Sequence, residues 1–286
     1  MNLHVDHYRT EGSRAPLLLI HGWGMHGGMW RTVAEQLAQQ FDVYAVDLPG
    51  HGYSVEINKP FGLSLSKPGQ EAASQFDRLT ANGRELTLDS VVDRLSEQFT
   101  DPLTVCGWSL GGQVALRWAL RHPQQVKKLV MVASTPCFVR LDDWRYALSV
   151  EILEEFAVNL QQNYTQTLKR FLSLQMRGSE QEREVLAVLR DGLFSRGEPD
   201  IVALQAGLDI LRTSDLRAAL PTLQQPMLVI EGERDTMIPH QATQYLASHA
   251  PQGRLATIRG AAHAPFLSHR DEFVQHMMDF LNEKQA

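Results

Sequence analysis

Residues 105–116, VCGWSLGGQVAL, place Ser109 between glycines at positions 107, 111 and 112. The segment fits G-x-S-x-G, in which a strand turns sharply into a helix and presents an exposed serine hydroxyl. The residues LTVC before it are typical of a strand, and GQVALRWAL after it of a helix. The pattern therefore predicts a nucleophilic serine at the positive end of a helix dipole. The alternative is a tight turn whose glycines have no chemical purpose.

A serine nucleophile needs a base, and that base needs an orienting carboxylate. In this type of site the chain order is serine, acid, histidine. Asp235 follows the strand-like segment LVIEGERD, and His263 follows the last strand-like segment and a glycine. We therefore expect Ser109, Asp235 and His263 to act together. Glu231 and Glu233 are alternative candidates for the acid, and His240 and His269 for the base.

The tetrahedral oxyanion formed on a serine also needs backbone N–H donors. One is expected from Leu110, the residue after the nucleophile, and the second from the loop after an early strand. The segment His21-Gly22-Trp23-Gly24 follows the apolar LLLI, so the N–H of Trp23 is the second predicted donor. The alternative interpretation of HGWG is a simple glycine turn.

Six short apolar segments, each suited to a strand buried on both faces, alternate with segments of helical periodicity. The strand segments are 15–22, 41–50, 103–109, 127–134, 226–235 and 254–263, and the helical ones include 30–40, 86–99 and 111–123. This alternation predicts an α/β fold, with a mostly parallel twisted sheet flanked by helices. Sites in such sheets gather at the carboxyl ends of the strands.

Two segments interrupt the alternation. Residues 137–220 contain no convincing strand but carry helical patterns, and they predict a helical lid inserted into a core formed by 1–136 and 221–286. Their helical stripe includes Ile152, Phe156, Leu160, Tyr164 and Leu168. Ser179 with Glu182 predicts a capping box that opens a second helix, and Pro199 is expected to open a third. Residues 57–84 are polar and aperiodic, which favours a mobile neutral insertion over a functional flap.

Composition narrows the class of protein. The 286 residues carry a net charge of −6 and no basic tract, which argues against nucleic acid as a partner. No apolar segment approaches the roughly 18 residues of a membrane span, and no secretory signal is visible. The two cysteines, Cys106 and Cys137, lie in apolar segments and are expected to be buried thiols. We therefore expect a cytoplasmic enzyme that uses neither a metal nor another cofactor.

The chain resembles the α/β-hydrolase fold and, within it, the pimeloyl-[acyl-carrier protein] methyl ester carboxylesterases of biotin synthesis. The resemblance rests on HGWGMHGGMW, DLPGHGYS, GWSLGGQVAL, VASTPCF, TLKRFLSLQ, GERD and AAHAPFLSH, and covers nearly all of the chain outside 57–84. It implies hydrolysis of the methyl ester of a pimeloyl-carrier protein, with Ser109, Asp235 and His263 as the triad and Trp23 and Leu110 as oxyanion donors. It also implies a V-shaped lid and an acyl pocket bordered by Trp23, Trp108 and Phe171.

The same resemblance implies that lid arginines hold the acidic acyl-carrier protein. Arg170 and Arg183 match such positions, whereas Gln166 and Ala187 replace two further arginines of the family. Three nearby basic residues could compensate: Lys169, Arg177 and Arg190. Three alternatives stay open from the sequence. They are a general short-chain esterase with small esters as substrates, a C–C bond hydrolase of the same fold, and an inactive carrier-binding module.

Overall fold

The computed structural model describes residues 2–12, 14–55 and 86–283. Segment 57–84, for which we predict a mobile insertion, lies outside these residues. The described residues form one seven-stranded sheet in the order β1-β3-β2-β4-β5-β6-β7. The strands are β1 (Val5–Tyr8), β2 (Pro16–Ile20), β3 (Asp42–Val46), β4 (Leu103–Trp108), β5 (Val126–Val132), β6 (Met227–Gly232) and β7 (Gly253–Ile258).

All strands from β2 to β7 pair in parallel, and each coincides with one of the six predicted strand segments. Strands β5 and β7 each begin one residue before the predicted segment. Every residue of β6 is buried, as is all of β4 except Thr104, in agreement with strands covered on both faces. The prediction missed β1, which pairs antiparallel with β3 at the sheet edge. Its sequence VDHY is short and half polar, so it lacks the apolar run by which the other strands are recognised.

Helices cover both faces of the sheet, as βαβ crossovers require. They are α1 (Arg31–Leu37), α2 (Leu88–Gln98), α3 (Leu110–Arg121), α7 (His240–His249), α8 (Pro265–Ser268) and α9 (Arg270–Asn282). Helices α1 and α2 lie within predicted helical segments, and α3 begins one residue before the predicted segment 111–123. Thr87 and Ser90 form a reciprocal capping box at the start of α2, whereas α3 begins directly at the residue after Ser109.

Three helices, α4 (Val150–Met176), α5 (Glu182–Gly192) and α6 (Ile201–Thr213), are inserted between β5 and β6. Along α4, Phe156, Leu160 and Leu168 of the predicted stripe are buried. The helix is interrupted at Asn163, where φ is −155° and ψ is 82°. The Oδ1 atom of Asn163 accepts a hydrogen bond of 3.1 Å from the N–H of Gln166, so this side chain caps the second half of α4.

The observed starts of α5 and α6 differ from the predicted capping box at Ser179 and the predicted start at Pro199. Gln181, not Ser179, precedes the first residue of α5. The carboxylate of Glu182 accepts from the N–H of Gly178, so the reciprocal contact that defines a capping box does not form. Helix α6 is capped by Asp200, the residue that follows Pro199. The side chain of Asp200 accepts a hydrogen bond from the N–H of Val202.

Cys106 and Cys137 are free and buried, as predicted. Burial raises the pKa of both thiols, so they remain protonated at neutral pH. Within the described ranges, no helix combines the length and the apolarity that crossing a bilayer requires.

Candidate active site

Ser109 occupies the sharp turn between β4 and α3, with φ of 55° and ψ of −117°. A positive φ is uncommon for serine and marks a backbone held by its surroundings. The turn is tight because a Cβ atom at Gly107 would overlap the carbonyl of Gly111. Two hydrogen bonds hold it: Ser109 N donates to Val132 O at 2.9 Å, and Ser134 Oγ donates to Ser109 O at 2.7 Å. The geometry is that of a nucleophile elbow.

Ser109, His263 and Asp235 form a continuous hydrogen-bonded chain at the carboxyl ends of β4, β7 and β6. The Oγ atom of Ser109 lies 3.0 Å from Nε2 of His263, and Nδ1 of His263 lies 2.7 Å from Oδ2 of Asp235. The side chain of His263 is fully buried, and Ser109 is only 2% exposed. An ionised carboxylate only accepts hydrogen bonds, so Nδ1 carries the proton and Nε2 is free to accept from the serine hydroxyl.

The loop after β6 fixes the carboxylate of Asp235. Its Oδ1 atom accepts hydrogen bonds from the backbone N–H groups of Met237 at 2.8 Å and of Ile238 at 3.0 Å. One carboxylate oxygen is thereby occupied by the backbone, and the other is aimed at His263. This arrangement positions the imidazole as an orienting acid would.

The alternative candidates for the acid and the base have different partners. His240 Nδ1 lies 2.7 Å from Glu231 Oε1, and Glu231 also accepts from the hydroxyls of Thr243 and Thr257. Glu233 accepts from the N–H of Gly260 at 3.0 Å. His269 lies at the start of α9, where its Nδ1 is 2.8 Å from Ser268 Oγ. Only Ser109, His263 and Asp235, among these residues, form a catalytic geometry.

The loop after β2, which carries Gly22 and Trp23, brings the backbone of Gly22 close to Ser109. A Cβ atom at Gly22 would lie 3.3 Å from Ser109 Cβ, which shows how closely the loop approaches. Buried His21 holds this loop, since its Nδ1 donates to Gly22 O at 2.8 Å and its Nε2 accepts from Leu48 N at 2.9 Å. Burial, together with the charge of nearby His51, keeps the pKa of His21 well below 6.5, so the ring is neutral.

The aromatic residues expected near the substrate, Trp23, Trp108 and Phe171, form two separate groups of contacts. The indole of Trp23 donates to Leu204 O at 2.7 Å, and its ring meets Phe171 edge to face with centroids 4.8 Å apart. The indole of Trp108 donates to His263 O at 2.7 Å and packs against Phe266. Trp23 and Phe171 therefore join the loop after β2 to α4, whereas Trp108 holds the backbone of His263.

The helical insertion contacts the triad itself, a relationship that sequence reasoning missed. The carbonyl oxygen of Gln175, on α4, accepts a hydrogen bond of 3.2 Å from the backbone N–H of His263. The contact uses the backbone of Gln175, so its side-chain type carries no information about it. Within the described part of the chain, no group of three histidine, cysteine or carboxylate side chains is arranged to hold a metal ion.

The basic residues expected to bind a carrier protein are all exposed: Lys169, Arg170, Arg177, Arg183 and Arg190. Two of them have partners within the insertion. Arg170 Nη1 lies 2.7 Å from Glu155 Oε1, and Arg190 Nη2 donates to Ser173 Oγ at 3.3 Å. The replaced positions, Gln166 and Ala187, are exposed as well.

The fold and this site define a class of protein. Residues 15–270 match the family described as alpha/beta hydrolase fold. An enol-lactonase from Burkholderia xenovorans LB400 superimposes with a TM-score of 0.78 at 21% identity, covering 98% of this chain and 96% of its own. An esterase from Exiguobacterium antarcticum gives 0.77 at 18% identity, covering 98% and 96%. Likenesses at this level of identity establish the fold alone.

Curated relatives narrow the class to a family. A pimeloyl-[acyl-carrier protein] methyl ester esterase of Nitrosomonas europaea is 43% identical over 94% of this chain and 96% of its own length. The enzyme of the same name from Chromobacterium violaceum is 40% identical over the full length of both chains. The chain therefore belongs to the α/β-hydrolase fold family and, within it, to the family of pimeloyl-[acyl-carrier protein] methyl ester esterases.

Proposed function

We propose that this chain is a serine carboxylesterase that hydrolyses the methyl ester of pimeloyl-acyl-carrier protein to the free pimeloyl-carrier and methanol, in the synthesis of the biotin precursor. The observation that carries the proposal is the hydrogen-bonded chain from Ser109 Oγ to His263, at 3.0 Å, and on to Asp235, at 2.7 Å. It occurs in a chain that is 43% identical to an esterase of that name.

In the first half of the reaction, Ser109 Oγ attacks the carbonyl carbon of the methyl ester while His263 Nε2 takes the hydroxyl proton. The displaced electron pair of the C=O bond rests on the oxyanion, which accepts from the N–H groups of Trp23 and Leu110. Each such donor contributes about 10²–10³ in rate. The intermediate then expels methoxide, which receives the proton from His263 and leaves as methanol.

In the second half, water attacks the acyl-serine ester and gives a proton to His263 Nε2. The second tetrahedral intermediate breaks its bond to Ser109 Oγ, and the serine regains the proton from the imidazole. The product is a free carboxylate. Asp235 stabilises the imidazolium present in both halves, and the amides of Met237 and Ile238 hold its carboxylate in place.

The substrate's acyl chain is apolar between its two carbonyl ends, and an apolar aromatic surface suits it. We assign Trp23 and Phe171 to the walls of the acyl site, because they lie in edge-to-face contact and Trp23 follows Gly22, at which a Cβ atom would lie 3.3 Å from Ser109 Cβ. Trp108 borders the site through its contact with His263. We assign residues 137–220 as a lid, since Phe171 of this insertion contacts Trp23 and Gln175 O accepts from the N–H of His263.

The exposed basic residues of the lid are the proposed docking surface for the acidic carrier. Between positions 166 and 190 the sequence has five basic residues, Lys169, Arg170, Arg177, Arg183 and Arg190, against three acidic ones. Complementary charge speeds encounter with an acidic partner. In the free protein Arg170 is paired with Glu155, so carrier binding at this position exchanges one carboxylate partner for another.

The test is methanol release from pimeloyl-carrier methyl ester, compared with hydrolysis of small esters such as p-nitrophenyl butyrate. We expect a higher kcat/KM on the carrier substrate and loss of both activities in Ser109→Ala. If kcat/KM is no better on the carrier substrate, the chain is a general esterase. Carrier binding without any turnover by the native chain would instead indicate an inactive binding module.

A further inference from the structure

A buried guanidinium joins the helical insertion to the core at a distance from the triad. Arg196 lies in the turn between α5 and α6, and its side chain is only 12% exposed. Its Nη1 atom donates to both carboxylate oxygens of Asp47, at 3.1 and 3.2 Å, and its Nη2 atom pairs with Asp6. The side chain of Asp47 is fully buried. Because a buried carboxylate left without its cation is costly, this contact favours the seated insertion.

Asp47 also holds the loop that follows β2. Its Oδ1 atom accepts a hydrogen bond of 2.6 Å from the N–H of Gly27, and its Oδ2 atom accepts one of 2.8 Å from the N–H of Tyr53. Arg196 and Gly27 therefore share one carboxylate oxygen. The position of the insertion is linked through this oxygen to the backbone of residues 21–28, which we call the oxyanion loop.

Residues 26–28 of the oxyanion loop also pack against the insertion. His26 Nε2 donates to the carbonyl of Gly192, at the end of α5, at 2.7 Å, and His26 Nδ1 accepts from Gly28 N at 3.1 Å. A Cβ atom at Gly28 would lie 2.8 Å from Arg196 Nε, so a larger residue there would displace the guanidinium. Near its other end, the oxyanion loop is held by the bond from Trp23 Nε1 to Leu204 O, on α6.

We propose that Arg196 is a positioning residue for catalysis: by binding Asp47 it seats the insertion on the oxyanion loop and so places the N–H of Trp23. The inference rests on the proposed esterase mechanism, in which that N–H stabilises the oxyanion. An interaction realised only in the transition state affects kcat rather than KM. Displacing the oxyanion loop therefore lowers kcat and leaves the binding of a small ester nearly unchanged.

The chain offers a matched control. Arg217 is another well-buried guanidinium of the insertion, 13% exposed, and it pairs with Asp143 at 3.1 Å and Asp215 at 2.7 Å. It lies over the ring of Trp144 and makes these contacts at the two ends of the insertion, away from the oxyanion loop. Loss of Arg217 therefore loosens the insertion without removing a contact to Asp47.

The experiment compares Arg196→Gln, Arg196→Lys and Arg217→Gln with the unmodified chain, using p-nitrophenyl butyrate. We expect Arg196→Gln to lower kcat at least tenfold while KM changes less than threefold. Inhibition by an alkyl boronic acid, which mimics the tetrahedral intermediate, should weaken by a similar factor. Arg196→Lys keeps the charge but loses the fork that bridges two carboxylates, so its kcat lies between. Arg217→Gln lowers Tm about as much as Arg196→Gln and leaves kcat within twofold.

Hydrogen exchange of the peptide covering residues 21–28 gives a readout that does not depend on turnover. It becomes faster in Arg196→Gln and stays unchanged in Arg217→Gln. Equal loss of kcat in the two glutamine variants, or unchanged kcat and exchange in Arg196→Gln, overturns the inference. Failure of the unmodified chain to hydrolyse the carrier ester contradicts the proposed substrate instead, and the exchange comparison still decides the role of Arg196.

Discussion

The Nε2 atom of His263 lies 3.0 Å from the Oγ atom of Ser109, although 154 positions separate the two residues. The contact forms because β4 and β7 run parallel in one sheet, and both residues follow the carboxyl ends of their strands. We expect Ser109→Ala to lower kcat for p-nitrophenyl esters by at least about 10⁴-fold, because it removes the proposed nucleophile and the remaining groups cannot form an acyl-enzyme. Steady-state hydrolysis measures this loss.

Ser268→Ala is the control for this change, because Ser268 is also a buried serine but donates to the carbonyl of Ala264 rather than to the triad. We expect its activity to stay within about threefold of the unmodified chain, since it changes no group that touches the ester. A Ser109→Ala protein that still forms a covalent adduct with a fluorophosphonate would show that another residue is the nucleophile.

The carboxylate that orients His263 can be tested against a close neighbour. Asp235→Asn keeps an oxygen for the amides of Met237 and Ile238, but its NH₂ group cannot accept from His263 Nδ1. The imidazole then adopts the wrong tautomer, and we expect kcat to fall by about 10⁴-fold. The measurement is kcat at pH 7.5, with circular dichroism to verify folding.

Glu231→Gln provides the comparison, because this buried carboxylate lies four positions earlier at the end of the same strand. Its partners are His240, Thr243 and Thr257 rather than His263. We expect Glu231→Gln to lower Tm, through loss of charge-assisted hydrogen bonds, and to change kcat only slightly. A larger loss of kcat in Glu231→Gln than in Asp235→Asn would reverse the assignment of the acid.

Much of this site is predictable from the sequence, since a parallel sheet collects the ends of its strands at one edge. The glycines around Ser109 mark a turn that no other residue fits, and Asp235 and His263 each follow a recognisable apolar strand. Once the order serine, acid, histidine is known, their meeting follows from topology. The strands and the helices α1, α2 and α3 near Ser109 are likewise recognisable from their local periodicity.

The contacts between the insertion and the core are not predictable in this way. The pairing of Arg196 with Asp47 joins positions 149 apart, and nothing in either local pattern indicates the other. The bond from His263 N to Gln175 O uses backbone atoms, which are the same in every residue. Asn163 interrupts α4 because its side chain caps the following turn, although the apolar stripe continues on both sides.

Three buried histidines predict that the fold loses stability in acid. His21 and His26 belong to the oxyanion loop, and the ring of His51 lies beside that of His21. Burial, the largest cause in each case, lowers the pKa of His21, His26 and His51 below the ordinary 6.5. Between each lowered pKa and about 6.5, the unfolded chain binds more protons than the folded one, so acidification favours unfolding. Each histidine contributes up to about 1.4 kcal/mol of unfolding free energy per pH unit in that window. Stability from these groups is complete above pH 6.5.

Urea denaturation at pH 7.5, 6.5 and 5.5 measures this dependence. We expect His51→Asn to flatten the slope below pH 6.5, because the side chain no longer takes up a proton on unfolding. Asparagine retains a donor for the carbonyl of Pro49, which His51 Nδ1 contacts at 3.0 Å. An unfolding free energy that increases when the pH is lowered from 6.5 to 5.5 would refute this account. So would a pH dependence of the unfolding free energy that is the same in His51→Asn and the unmodified chain.

The exposed basic residues of the helical insertion predict a difference between carrier-bound and small substrates. Arg170→Glu combined with Arg183→Glu reverses two exposed charges on α4 and α5, so we expect kcat/KM for the pimeloyl-carrier methyl ester to fall about tenfold at low salt, mainly through weaker encounter. Because salt screens such charges, the difference shrinks as ionic strength rises. Hydrolysis of p-nitrophenyl butyrate stays within twofold, since a neutral small ester gains nothing from electrostatic steering.

Arg254→Glu is the matched control. Arg254 is exposed near the start of β7, whereas the triad lies at the carboxyl ends of the strands. Equal losses on both substrates, or an equal effect of Arg254→Glu on the carrier substrate, would exclude docking through these arginines.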